Sequence, residues 1–126
     1  MPWQFLDVCD EAGKNLFKEW LYGLVDDERA AVNAHIDICR NQPQLRPPYA
    51  DKFTSGECKG LIELRVTNFS VELRPLACYA KGFSVVLLAG AHKQNNRLVP
   101  QGACGTALER RRLLEKGVYR RCDHEY

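Results

Sequence analysis

The segment that most restricts the fold is Phe83-Ser84-Val85-Val86-Leu87-Leu88-Ala89-Gly90-Ala91, which is apolar apart from one serine. A short run without a polar face reads as a strand buried on both sides, and so as the middle of a sheet. A middle strand needs neighbours. Leu61 to Val66 alternates, placing Leu61, Glu63 and Arg65 on one face and Ile62, Leu64 and Val66 on the other. Val71 to Ala80 reads as a further strand, and Lys81-Gly82 supplies a tight turn into the apolar run. The three segments predict an antiparallel meander. Pro75 cannot donate to a ladder and predicts a bulge that shifts the phase near Arg74.

The face bearing Ile62, Leu64 and Val66 must be covered, and the earlier part of the chain offers the cover. Leu16, Phe17, Trp20, Leu21 and Leu24 recur at spacings of three and four, the stripe of an amphipathic helix. A second helix is expected from Asp26 or Asp27, whose carboxylate can cap the first amides, through Val32, Ile36 and Cys39 to about Arg40. The short link from Gly23 to Asp27 makes the two an antiparallel hairpin. Trp3 to Val8 alternates weakly and gives a possible first strand. Asn41 to Gly56, with Pro43, Pro47 and Pro48, reads as a surface loop, and His92 to Val99 as another. Pro100 opens a last helix with Ala103, Ala107, Arg110 and Leu114 on one stripe, and Gly117 stops it. Residues 118–126 show no periodicity and read as an irregular tail. The expected class is therefore α+β: an N-terminal helix hairpin on a small, mainly antiparallel sheet (the meander plus the possible first strand), closed by a C-terminal helix, in one domain over 1–126.

At 126 residues the chain can bury one core and is too short for two independent domains. No apolar stretch approaches the roughly 20 residues that span a bilayer. The opening Met-Pro-Trp-Gln-Phe-Leu-Asp lacks the basic start and long apolar run of a secretory signal, so a soluble, cytoplasmic protein without membrane contact is expected. Cys9, Cys39, Cys58, Cys78, Cys104 and Cys122 are scattered singly and read as reduced thiols. The nearest approach to a metal-ligand pair is Cys122 with His124, so no metal is expected.

Charge is segregated along the chain. Residues 1–58 carry six Lys/Arg against ten Asp/Glu, and residues 59–126 carry twelve against six. The second part presents a surface that attracts polyanions. Arg110-Arg111-Arg112, with Lys116, Arg120 and Arg121, can neutralise RNA phosphates. A solvated helix face balanced by Glu109 and Glu115 is the plain alternative. Arg65 and Arg74 likewise either face an anion or pair with Glu63 and Glu72. His35 reads as a packed histidine within its helix, and Phe17 and Trp20 as core rather than base-stacking platforms.

Several short motifs occur in a specific order between about residues 14 and 116: Gly60-Leu61-Ile62-Glu63-Leu64-Arg65, Leu73-Arg74 with Cys78-Tyr79, Val85-Val86-Leu87-Leu88, His92-Lys93, and Pro100 leading to Ala107. In these the chain resembles the RelE/ParE toxin superfamily, in its phage-derived HigB-like branch. The resemblance implies the toxin of a toxin-antitoxin pair: a ribosome-dependent endoribonuclease that cuts messenger RNA without metal or cofactor. It also implies an antitoxin partner, with a helix-turn-helix DNA-binding fold. By position, Arg65 matches the basic residue near the end of the motif strand, and Arg74 the arginine that contacts the scissile phosphate. Such a guanidinium stays charged and fits two phosphate oxygens at once. His92 and Lys93 fall where related toxins place basic residues after the last strand, and His92 could exchange a proton near neutral pH. Lys59 and Arg97 become RNA-backbone contacts, together with Arg110, Arg111 and Arg112.

Two departures from the pattern matter. RelE has a lysine where this chain has Glu63, although a glutamate suits the HigB-like branch, either as a base or as a partner of Arg65. The catalytic tyrosine near the final helix has no counterpart around Cys104, and nothing selects among Tyr79, Tyr119, His124 and Tyr126 as its substitute. A missing tyrosine also fits the alternatives, a ParE-type DNA gyrase inhibitor or a decayed, non-toxic module that still binds an antitoxin.

Overall fold

The computed structural model describes residues 2–126. Along the chain run β1 (Gln4–Cys9), α1 (Leu16–Tyr22), α2 (Asp26–Arg40), β2 (Ala50–Lys52), β3 (Ile62–Leu64), β4 (Val66–Asn68) and β5 (Val71–Leu73). Then follow β6 (Leu76–Ala80), β7 (Ser84–Ala89), β8 (His92–Gln94), β9 (Arg97–Val99), α3 (Ala103–Glu115) and β10 (Arg120–Asp123). The strands form a six-stranded sheet, ordered β10-β1-β7-β6-β3-β2, and a four-stranded sheet, ordered β4-β5-β8-β9.

This architecture overturns the expected helix hairpin on one small sheet. The possible first strand is present as β1, so the helices are not N-terminal, and there are two sheets, of six and four strands, among the described residues. The physical reason lies in three interruptions at one level. The first expected strand breaks at Arg65, the second at Arg74-Pro75 and the third at Gly90-Ala91. Pro75 has no N–H to give to a ladder. Only a few backbone bonds cross the seam: Leu64 N–H to the Pro75 carbonyl at 2.9 Å, Arg74 N–H to Ala91 at 2.7 Å, and Ala91 N–H to Arg74 at 3.1 Å. The apolar run does sit centrally, since β7 lies between β1, to which it is parallel, and β6.

Helices cover both faces of the larger sheet. On one face Phe17, Leu21, Val32, Ile36 and Cys39 pack with Ile62, Leu64, Ala77, Val85 and Leu87, and with Val66 and Leu73 of the smaller sheet. On the other, Ala103, Cys104 and Ala107 of α3 pack with Leu6, Val8, Leu61, Leu76, Val86 and Leu88. Strand alternation divides the residues between the two cores. Trp20 lies so close over Gly90 that a Cβ there would stand 1.7 Å from the indole Cδ2. Helix α1 is capped by the Asn15 side chain, which accepts from Lys18 N–H at 2.8 Å. Helix α2 starts from Val25 with no side-chain cap bond, and Asp26, Asp27 and Glu28 lie inside its first turn. There the carboxylates favour the helix through its dipole instead of through capping.

The segment 118–126 is not irregular. Its β10 pairs antiparallel with β1, from Leu6 opposite Asp123 to Cys9 opposite Arg120. Buried His124 shares hydrogen bonds through Nδ1 with Asp7 Oδ1 at 2.8 Å and through Nε2 with Asn33 Oδ1 at 2.9 Å. Four of the six cysteines are paired, correcting the reading of six reduced thiols: Cys9 with Cys122 and Cys58 with Cys104. Cys39 and Cys78 are free and buried. The loops expected at 41–56 and 92–99 each hold regular structure, β2 in the first and the β8–β9 hairpin in the second.

Candidate functional site

Arg65 and Arg74 meet on one carboxylate. Alternation in β3 puts Glu63 and Arg65 on the same side, and the β2–β3 register brings Asp51 directly opposite Glu63. Arg65 Nε donates to Glu63 Oε2 and its Nη2 to Asp51 Oδ2, both at 3.2 Å. Arg74 comes from the adjoining strand run at the seam. Its Nη2 donates to Glu72 Oε1 at 2.9 Å, and its Nη1 to the carbonyl of Leu73 at 3.0 Å. Its Nε stands 3.7 Å from Glu63 Oε1, close enough for charge attraction and too far for a hydrogen bond. Both of those atoms are buried without a hydrogen-bond partner in the protein.

Burial separates the two arginines. Arg74 and Glu63 are each 5% exposed, whereas the Arg65 side chain is 37% exposed. As it stands, Arg74 has its fork turned to carboxylates and carbonyls, and a phosphate outside the protein reaches Arg65 first. Lys93 joins the same face, because it lies opposite Glu72 across β5–β8. The centre thus holds Arg65 and Arg74 against Asp51, Glu63 and Glu72, with Lys93 on the next strand of the same face. His92 is not part of it, since its register partner is Leu73, whose side chain packs into the helix-covered core on the opposite face.

The expected RNA contacts scatter. Arg97, exposed in β9, borders a hollow of about 690 Å³ with Gln94, Leu98 and Gln101 at the far hairpin. Arg110 turns inward and donates from Nη1 to the Leu88 carbonyl at 2.9 Å, and burial lowers its pKa from the usual guanidinium range. Arg112 pairs with Glu109 on the outer face of α3. Arg111 Nη1 donates to the carbonyl of Gly60 at 3.2 Å, and Lys59, the residue before it, is exposed. Gly60 has φ +92°, and a Cβ there would press on the same guanidinium at 3.2 Å.

Arg111 forms one wall of a groove of about 670 Å³ beside α3. Lys81, Arg121 and Glu115 complete its polar rim, and Cys78 and Leu114 lie along its floor. Burial raises the Cys78 thiol to about 11, so it sits there as an uncharged apolar group. Arg121 is held by a hydrogen bond from Nη1 to the Lys81 carbonyl at 3.0 Å. Sequence reasoning included Arg121 in a basic cluster and missed Lys81 and Asp51. The first lies in a turn and the second in a segment read as loop, and only the fold brings them to their sites. Cys122 and His124, the one metal-like pair in the sequence, are committed to Cys9 and to Asp7 with Asn33.

A family model described as Phage derived protein Gp49-like matches residues 19–112, roughly three quarters of the chain. No curated protein and no solved structure matches it.

Proposed function

Since the chain belongs to the phage-derived Gp49-like family, a toxin-like group, we propose that it is the toxin half of a two-gene module and cuts messenger RNA on the ribosome. The observation that carries this reading is the convergence of Arg65 and Arg74 on Glu63, with Lys93 on the same face. A carboxylate between two guanidiniums has the parts for intramolecular phosphoryl transfer. Once Arg65 swings out and uncovers it, the Glu63 carboxylate takes the proton of the ribose 2′-hydroxyl, whose oxygen attacks the adjacent phosphorus. Arg65 exchanges Asp51 for the phosphate and stabilises the charge that builds on its oxygens. The P–O5′ bond breaks, and the Lys93 ammonium gives a proton to the leaving oxygen. The products are a 2′,3′-cyclic phosphate and a 5′-hydroxyl. Arg74, as buried as Glu63 and 3.7 Å from it, is a positioning residue that holds the base in place. The proposed partners are the translating ribosome with its message, and an antitoxin, probed as a neighbouring short gene for a helix-turn-helix protein.

Expression of the chain alone, with message ends mapped on translating ribosomes, tests this reading. New ends bearing 5′-hydroxyls are expected, with loss in Glu63→Gln and Arg65→Ala. Growth arrest with intact messages would refute it. A second reading, a gyrase-directed toxin, is favoured by one observation: every guanidinium of the centre is already paired, leaving no open cationic pocket. Its signature is a DNA-damage response without new message ends.

A further inference from the structure

The smaller sheet ends in two turns that carry three of the four non-glycine residues with positive φ among the described residues: Phe69 at +55°, Asn95 at +52° and Asn96 at +63°. The ladder sets these turns side by side. In β4–β5 Asn68 lies opposite Val71, so Phe69 and Ser70 are the central residues of a two-residue loop. In β8–β9 Gln94 lies opposite Arg97, which leaves Asn95 and Asn96 as the centre of another. Since β5 and β8 run antiparallel with Glu72 opposite Lys93, one further position brings Val71 beside Gln94. Both turns therefore project from the same end of one sheet, two strand spacings or about 10 Å apart.

Asn95 and Asn96 suit their turn, because asparagine tolerates the left-handed region that a type I′ loop requires at both central residues. Phe69 does not suit its own. A loop with positive φ at its first central residue alone is the type II′ turn, where glycine fits. A bulky ring held there is strained, and at 89% exposure it gains almost nothing from packing. A lone apolar side chain at the surface is ordinary, but one kept in a strained turn points to a use.

The surroundings of the ring decide what it would hold. Gln94, Asn95, Asn96 and Arg97 are exposed, and Gln94, Asn95 and Arg97 line the hollow of about 690 Å³ with Gln101. Arg97 makes no ion pair among the described residues. Neither 66–71 nor 92–101 contains a carboxylate. Side-chain amides donate and accept as base edges do, and a free guanidinium takes a phosphate. A protein pocket would favour an apolar surround for its anchor, whereas Phe69 is flanked by Asn68 and Ser70. We propose that the two turns form a subsite for single-stranded RNA: Phe69 stacks on an unpaired base, Gln94, Asn95 and Asn96 bond to base edges, and Arg97 holds a phosphate. Stacking joined to edge readout is how unpaired bases are told apart. The subsite rests on the reading of the chain as an RNA-acting toxin and adds to it a means of choosing bases. None of its residues belongs to the Glu63 centre, so it positions the strand and takes no part in bond breaking.

The test measures binding of a fluorescent, unstructured RNA of about eight nucleotides to the purified chain by anisotropy, beside an abasic oligomer of equal length and the same RNA in a blunt duplex. The single strand is expected to bind about tenfold more tightly than either. Phe69→Gly removes the ring and suits the positive φ, so it should unfold at the same temperature as the parent or higher. It should weaken the single strand about tenfold and leave the abasic oligomer unchanged, while Phe69→Tyr, which keeps a ring, should stay within about twofold of the parent. Arg97→Gln should weaken both oligomers and lower the slope of log affinity against log salt by about 0.7. Equal binding of single strand and abasic oligomer, equal binding of the duplex, or an unaffected Phe69→Gly variant would each overturn the subsite. Message cleavage in cells alongside any of those results sinks the subsite alone. Tight, base-dependent binding without cleavage sinks the nuclease alone.

Discussion

Replacing Glu63 by glutamine is the most informative single change, because it preserves volume while stripping the charge that two guanidiniums share. Both Glu63 and Arg74 are 5% exposed, so solvent can take over little of the lost interaction. Breaking a buried ion pair from one side costs about 3–5 kcal/mol. Arg74 keeps Glu72 and the Leu73 carbonyl, which places the cost near the lower end, at about 3 kcal/mol. For 126 residues the unfolding entropy is about 0.26 kcal/mol/K, so the midpoint should fall by about 11 °C. A domain of ordinary stability, roughly 5–15 kcal/mol, remains folded at 25 °C after such a loss. Urea unfolding followed by circular dichroism gives the free energy, and calorimetry the midpoint. The double variant Glu63→Leu, Arg74→Met removes both charges and should recover most of the loss. A Glu63→Gln cost below about 1 kcal/mol would show that Arg74 does not depend on that carboxylate, and the description of the centre would fail.

Other expectations follow from other parts of the molecule. His35 donates from Nε2 to the Tyr49 carbonyl, and burial, partly offset by that bond, lowers its pKa, so the folded chain resists a proton that the unfolded chain accepts. Stability should therefore be full above about pH 6.5 and decline below it; His35→Gln should flatten the difference between pH 7.5 and pH 5, and an unchanged difference would exclude this histidine as the cause. Burial holds Cys39 at about 12 and Cys78 at about 11, and the other four cysteines are paired, so the native protein should show almost no reaction with a thiol reagent at pH 8. Unfolding without reductant should release two thiols, and a count of six would refute the pairings. Gly90→Ala drives a methyl into the Trp20 indole and should cost about 1–3 kcal/mol with a change in tryptophan fluorescence; a neutral result would mean that the indole can move aside.

How much was legible from sequence depended on the range of the forces involved. Helical stripes such as Phe17 with Leu21 and Val32 with Ile36 follow from spacing alone, because one period describes the whole element. The strand interruptions do not, since Gly90 breaks where Trp20 arrives from α1, a contact that spans most of the chain. The β8–β9 hairpin did have a local signal that the reading as loop passed over: Asn95 and Asn96, at φ +52° and +63°, suit the tight turn that joins twisted strands. Short β10, with its mostly exposed side chains, carries no such signal. Cysteine pairs separated by 113 and 46 residues lie equally beyond local reading. In the site, the shared side of Glu63 and Arg65 was readable from alternation, whereas Asp51 reaches them only through the pairing of β2 with β3.

The seam that cuts the three long strand runs at Arg65, Arg74-Pro75 and Gly90-Ala91 divides the chain's response to thermal agitation. The β4-β5-β8-β9 leaflet is tied to the main sheet by sparse amide bonds, and at Pro75 there is no amide to exchange at all. Its deuterium uptake should run ahead of that of β1, β6 and β7, which are clamped between two cores, so the leaflet unzips as a cooperative block while the rest stays shut. Arg65 and Arg74 sit on the line between the block that opens and the block that stays shut, and each such excursion would expose the buried guanidinium to whatever anion waits outside.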